Sequence, residues 1–141
     1  MRKIAVMVLL ICMFCTLVAC GESKYASECA AIVGLSTSTD VVEGVVSPQV
    51  IFSATDRNIY CIVNYINIAK NTRIGVKLYL GRNLVGETSF VAQEQILENV
   101  ISTDLWQGDS SWTPGRYRVE VSGTLGKKET FNVFKEFDVV E

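Results

Sequence analysis

Trp112-Thr113-Pro114-Gly115-Arg116-Tyr117-Arg118-Val119-Glu120-Val121 is the stretch whose pattern decides the fold. From Arg116 onward, Tyr117, Val119 and Val121 fall on one side of the chain, and Arg116, Arg118 and Glu120 on the other. A period of two matches the alternation of side chains along a strand and cannot be used by a helix of 3.6 residues per turn. One face is apolar and the other charged, so the strand is half-buried against a core.

The same alternation continues on both sides. Asn71 to Leu80 places Ile74, Val76, Leu78 and Leu80 opposite Arg73, Lys77 and Tyr79. Gly81-Arg82-Asn83 is a compact hairpin turn from which Leu84 to Val91 returns antiparallel. Gln49 to Ala54 and the turn Asp56-Arg57-Asn58 precede Ile59 to Ile68, which is apolar on both faces at its start and reads as the central strand. Glu94 to Val100 suits a single helical turn as well as a strand, while Ile101 to Trp106 reads as extended and Gly108 to Ser111 as a loop. Gly123 to Lys128 turns the chain, and Thr130 to Val140 completes the pattern. Seven or eight short strands rich in Val, Ile, Tyr, Phe and Thr, without a convincing long helix, predict an all-β antiparallel β-sandwich.

The quoted stretch resembles the W-x-P-G-x-Y-x-V-x-V signature of immunoglobulin-like β-sandwiches in bacterial surface and envelope proteins. The resemblance covers roughly Val46 to Val140. It implies that Pro114-Gly115 turns the chain into a late strand, that Tyr117 packs at the corner and that the valines enter the core. Asp56, Ile59, Tyr60, Val63 and Tyr65 suit an earlier strand of such a domain, and Phe137-Asp138-Val139 a terminal one. The departure is the missing intersheet cysteine pair of antibody domains, because Cys61 has no late-strand partner. A sandwich of this kind implies little about activity, since one fold hosts many unrelated functions.

The N-terminus carries a second resemblance. Arg2 and Lys3 precede an apolar run, Ile4 to Leu17, and Leu17-Val18-Ala19-Cys20 resembles the lipobox of bacterial lipoproteins. In that family the chain is cut before the cysteine, whose thiol carries a diacylglycerol and whose amine is often acylated. The run of about fourteen residues falls short of the roughly twenty that span a bilayer. The competing readings are an ordinary secretory signal cut near Ala19 and an uncleaved membrane helix. The lipobox implies residues 1-19 as a signal peptide, residues 20-44 as a lipidated tether and residues 45-141 as the sandwich. Gly21, where an aspartate commonly retains lipoproteins in the inner membrane, favours the outer membrane if the cell is Gram-negative. Tyr25 to Leu35 reads as one short helix or as an extended segment that joins the sheet.

Composition narrows the partners. The chain has 13 basic and 15 acidic residues; without Arg2 and Lys3 the balance is 11 against 15, a net charge of −4. A mild acidic excess with no basic cluster speaks against nucleic acid, whose phosphates need several cations on one face. Lys127-Lys128, the densest basic pair, reads as a turn tip. The 122 residues from Cys20 onward are the size of one domain with a single core. The partners expected are membrane lipid, through acylated Cys20, and a protein of the cell envelope.

Of five cysteines, Cys12 and Cys15 leave with the signal and Cys20 is lipidated, so Cys29 and Cys61 are the candidates for a disulfide. Such a bridge would stabilise the fold by about 3 to 4 kcal/mol. The competing reading is two buried free thiols acting as small hydrophobes.

Catalysis finds little support. The chain has no histidine, hence neither the commonest general base nor the commonest metal ligand. Asp104, Asp109, Glu94 and Glu98 show no paired spacing for acid and base roles, and Gly123-Thr124-Leu125-Gly126 lacks the lysine and hydroxyl of a phosphate loop. No cysteine or acidic cluster has the spacing of a zinc or calcium site, and no cofactor is implied. Trp106 and Trp112, with Tyr79 and Tyr117, are the candidates for a flat ligand-contact surface; the competing reading packs Trp112 and Tyr117 into the end of the sandwich and lays Trp106 over its edge. The expected function is therefore a lipid-anchored, non-catalytic interaction module. The alternatives are a glycan or small-ligand binder using the Trp106 to Trp112 loop and an enzyme inhibitor.

Overall fold

The computed structural model describes residues 27-37, 49-105 and 111-141. They form eight strands: β1 (Cys29–Ser36), β2 (Ile51–Ser53), β3 (Tyr60–Ile68), β4 (Arg73–Leu80), β5 (Asn83–Val91), β6 (Ile96–Asp104), β7 (Gly115–Leu125) and β8 (Lys128–Val140). A three-stranded sheet of order β1-β3-β6 faces a five-stranded sheet of order β2-β8-β7-β4-β5. The arrangement is an immunoglobulin-like β-sandwich. All pairings are antiparallel, as the sequence pattern predicts, except that of the short edge strand β2 with β8, which is parallel. As the sequence pattern predicts, β3 is the central strand of its sheet.

The core lies between the sheets. Leu35, Cys61, Val63, Tyr65 and Ile68 come from one layer, and Phe52, Ile74, Val76, Leu78, Val119, Val121, Phe137 and Val139 from the other, all of them buried. Fully burying a side chain of the Val, Leu, Ile or Phe type stabilises a fold by about 1.5 to 3 kcal/mol, so this set is the main driving term. Two hairpins join the long strands. Leu80 pairs with Asn83 and Leu125 with Lys128, leaving two-residue turns that begin with Gly81 and Gly126 at φ 60° and 63°. A positive φ at the first turn position alone is the type II′ geometry, which matches strand twist and favours glycine there.

The helix considered for Tyr25 to Leu35 is corrected: from Cys29 the chain is strand β1, paired with β3. The sandwich therefore begins at Cys29 rather than at residue 45. The reason is a bulge. Ala30 and Ile32 stand opposite Tyr65 and Val63, Val33 is the extra residue, and Leu35 then stands opposite Cys61. The inward residues 30, 32 and 35 thus lose the strict period of two that marks a strand in sequence. Asn67, at φ 55°, interrupts the alternation of β3 without a shift in its register to β6, and Ile68 rather than Asn67 is buried after Tyr65.

Candidate functional site

The aromatic end of the sandwich is a closed core. Trp112 is 8% exposed and Tyr117 4%. Their rings meet edge to face at 5.3 Å, and Tyr117 stacks on Phe137 at 5.3 Å, with Phe52 edge-on to Phe137 at 5.6 Å. The Tyr117 hydroxyl donates to the Thr113 carbonyl at 2.8 Å, four residues upstream, which is the tyrosine corner of this fold. Burial pushes the Tyr117 phenol above its usual value, with the bond to Thr113 opposing it. Tyr79 lies on the other side of the five-stranded sheet, opposite Arg118 in the register. Of the flat aromatic surface considered for Trp106, Trp112, Tyr79 and Tyr117, the last three do not come together as one exposed face, and Trp112 is a core residue rather than a contact residue. Trp106 and residues 108-110 lie outside the described residues, as does Cys20.

The two candidate disulfide cysteines are not bridged. Cys29 stands opposite Ile66 and Cys61 opposite Leu35, five residues apart along β3. That is roughly 17 Å at about 3.3 Å per residue, against the 4.4 to 6.8 Å usual between bridged Cα atoms. Cys29 is exposed. Cys61 is buried, and desolvation pushes its thiol up to about 12, the behaviour of an inert core thiol.

A carboxylate that sequence reading did not single out fixes the opposite end. Glu28 Oε1 accepts hydrogen bonds from the Ala69 N–H and the Thr72 hydroxyl, each at 2.7 Å. Burial alone would raise this carboxyl; Thr130, acting from beyond a formed hydrogen bond, together with the bonds from Thr72 and Ala69, brings it below its ordinary value. The turn it clamps is bonded onward, Asn71 N–H to the Ala92 carbonyl and Ala92 N–H to the Thr72 carbonyl. Four elements thus meet at the place where the chain enters the sandwich. The bond runs across 41 residues of sequence, so no local spacing signals it.

The flanks differ in how they are closed. On one, β1 packs over β8, and the Gln49 N–H reaches the Leu35 carbonyl at 3.4 Å. That leaves β6 on the flank of β4 and β5. There β5 and β6 are the outer strands of their sheets, each of nine residues, with no further strand beside them among the described residues. Leu84 (50%), Val85 (41%), Leu97 (68%) and Val100 (43%) are exposed along them. Neither strand carries a lysine or proline, devices that commonly block edge pairing. An open depression of about 550 Å³ lies at the start of β6, lined by Ala92 to Asn99.

No group of three metal-ligating side chains comes together among the described residues. Glu94 and Glu98 are both exposed, and Glu98 accepts a long bond from Asn64 Nδ2 at 3.4 Å. No helix among the described residues is long and apolar enough to cross a membrane.

No protein-family model matches the chain, and no curated protein matches it. Among solved structures it is similar to the crystal structure of Parabacteroides merdae beta-glucuronidase, at 12% identity and a TM-score of 0.43 over 78% of this chain. The chain spans 13% of the length of that protein.

Proposed function

We propose that this chain is a lipid-anchored protein of the bacterial cell envelope whose β-sandwich is a non-catalytic interaction module. The observation that carries the binding role is the β5 and β6 flank. Among the described residues neither nine-residue edge has a further strand beside it, and exposed Leu84, Val85, Leu97 and Val100 lie along them. An extended segment of a partner protein adds to such an edge through main-chain hydrogen bonds, and its alternate side chains use the apolar positions. Anchoring is supported by Leu17-Val18-Ala19-Cys20, with Gly21 favouring the outer membrane in a Gram-negative cell. Burial of Trp112 removes half of the aromatic pair on which a glycan-binding reading depended.

The test is photocrosslinking in intact cells from residue 97 or residue 84, with residue 132 on the far side of the sandwich as control. One reproducible protein adduct from the edge positions supports the module. Adducts that are absent, or equally abundant from residue 132, count against it.

A further inference from the structure

We infer that the end of the sandwich where the chain enters is a contact surface for anionic phospholipid headgroups, formed by Lys70, Arg73, Lys127 and Lys128. The inference rests on the reading of Cys20 as an acylated anchor and adds to it a definite orientation of the domain.

The placement follows from the hydrogen bonds of Glu28, which pin the residue after Ser27 to the turn between β3 and β4. Lys70 is in that turn, and Arg73 begins β4 directly after it. Arg73 stands opposite Thr124, and one residue further along Leu125 pairs with Lys128 across the hairpin tip that holds Lys127. All four cations are exposed. They come from two neighbouring turns and the strand starts beside them.

The balance of charge at this end is local. Glu28 is engaged internally, Glu94 and Glu129 are exposed, and Glu98 is turned to Asn64 on the outer face of the three-stranded sheet. Among the described residues the ion pairs are Arg116 with Asp138 and Arg118 with Glu120, so none of Lys70, Lys127 and Lys128 has a carboxylate partner there. The opposite end carries Asp56, Asp104 and Glu141 beside Arg57 and Arg82. At the end from which the tether leaves, four cations stand against Glu28, Glu94 and Glu129, a local balance of +1 in a chain whose overall balance is acidic. Leu125, 39% exposed at the same hairpin, adds an apolar side chain that can reach the headgroup boundary.

The tether decides between occupants. Only six residues separate Cys20 from Ser27, seven Cα-to-Cα steps and at most roughly 25 Å of extended chain. An acylated Cys20 holds this end close to a bilayer at high effective concentration, whereas a partner in solution gains nothing from that proximity. Basic residues held near an anionic bilayer strengthen binding by roughly fivefold each, and the effect fades within a Debye length of about 8 Å in physiological salt.

The test uses the acylated full-length protein as processed by the cell, reconstituted into vesicles of phosphatidylcholine alone or with phosphatidylglycerol. Lysines are acetylated with a water-soluble reagent and read by mass spectrometry, with Lys77 on the face of the five-stranded sheet as internal reference. Labelling of Lys70, Lys127 and Lys128 is expected to fall at least about fivefold on the anionic vesicles, relative to Lys77, and to recover in high salt. Equal labelling on both vesicle types, or an equal fall at Lys77, overturns the orientation while leaving the anchor intact. Failure to float even with phosphatidylcholine vesicles overturns the anchor itself, and the inference with it.

Discussion

The Tyr117 hydroxyl and the Thr113 carbonyl, 2.8 Å apart, tie the start of β7 to the loop that delivers it. The bond holds Trp112, which packs on the Tyr117 ring, over the end of the core. Tyr117→Phe keeps the stacking on Phe137 but leaves a carbonyl without its donor. The expected cost is about 1 to 1.5 kcal/mol, read by urea denaturation of the full-length protein in detergent. An unchanged midpoint would mean that the corner contributes nothing.

Gly123 sits on the core side of β7 beneath the ring of Phe131, and a methyl group there would overlap the ring, coming to 2.7 Å from its Cδ1 and Cζ. Gly123→Ala is therefore expected to destabilise by about 1 to 3 kcal/mol through overpacking. Adding Phe131→Leu should recover part of that loss. If the double variant is as unstable as the sum of the singles, the ring contact is not the cause.

Glu28 links stability to pH. Its carboxyl is brought below the ordinary value in the folded protein, so the unfolded chain takes up a proton first as pH falls. The stabilisation is fully present above the ordinary carboxylate value and is lost as pH drops through the lowered one. Glu28→Gln should cost about 1 to 2 kcal/mol at neutral pH and flatten the acid limb of the stability profile. A variant whose acid limb matches the parent would remove Glu28 from that role.

The thiols give a direct check on the strand register. Cys29 is exposed, whereas Cys61 is buried with its thiol pushed up to about 12. Iodoacetamide at pH 8 should modify Cys29 in the folded protein and Cys61 only after unfolding. Resistance of both cysteines until a reductant is added would establish the bridge that the register forbids.

The regular strands of the sandwich were legible because their burial alternates cleanly: Ile74, Val76 and Leu78 in β4, and Tyr117, Val119 and Val121 in β7. β1 was not, because the bulge at Val33 breaks its period of two between Ile32 and Leu35. The switch of β2 to parallel pairing with β8 involves three residues, too few to carry a pattern. Cys29 and Cys61 could be paired by elimination in the sequence because only register reveals how far apart they lie along β3. Glu28 was missed for the same reason as the lysine-bearing end: both depend on which turns the topology brings together. The open β5 and β6 flank left a weak trace, two strands without lysine or proline, but an edge is a property of the sheet.

The interaction module and its orientation both depend on the sandwich being held at a bilayer through Cys20. The most direct measurement is metabolic labelling of cells with a clickable palmitate analogue, comparing the parent protein with Cys20→Ser. The parent should carry the label in the membrane fraction, and the variant should carry none and retain residues 1-19 or leave the membrane. Labelling of Cys20→Ser at the parent level would contradict the anchor.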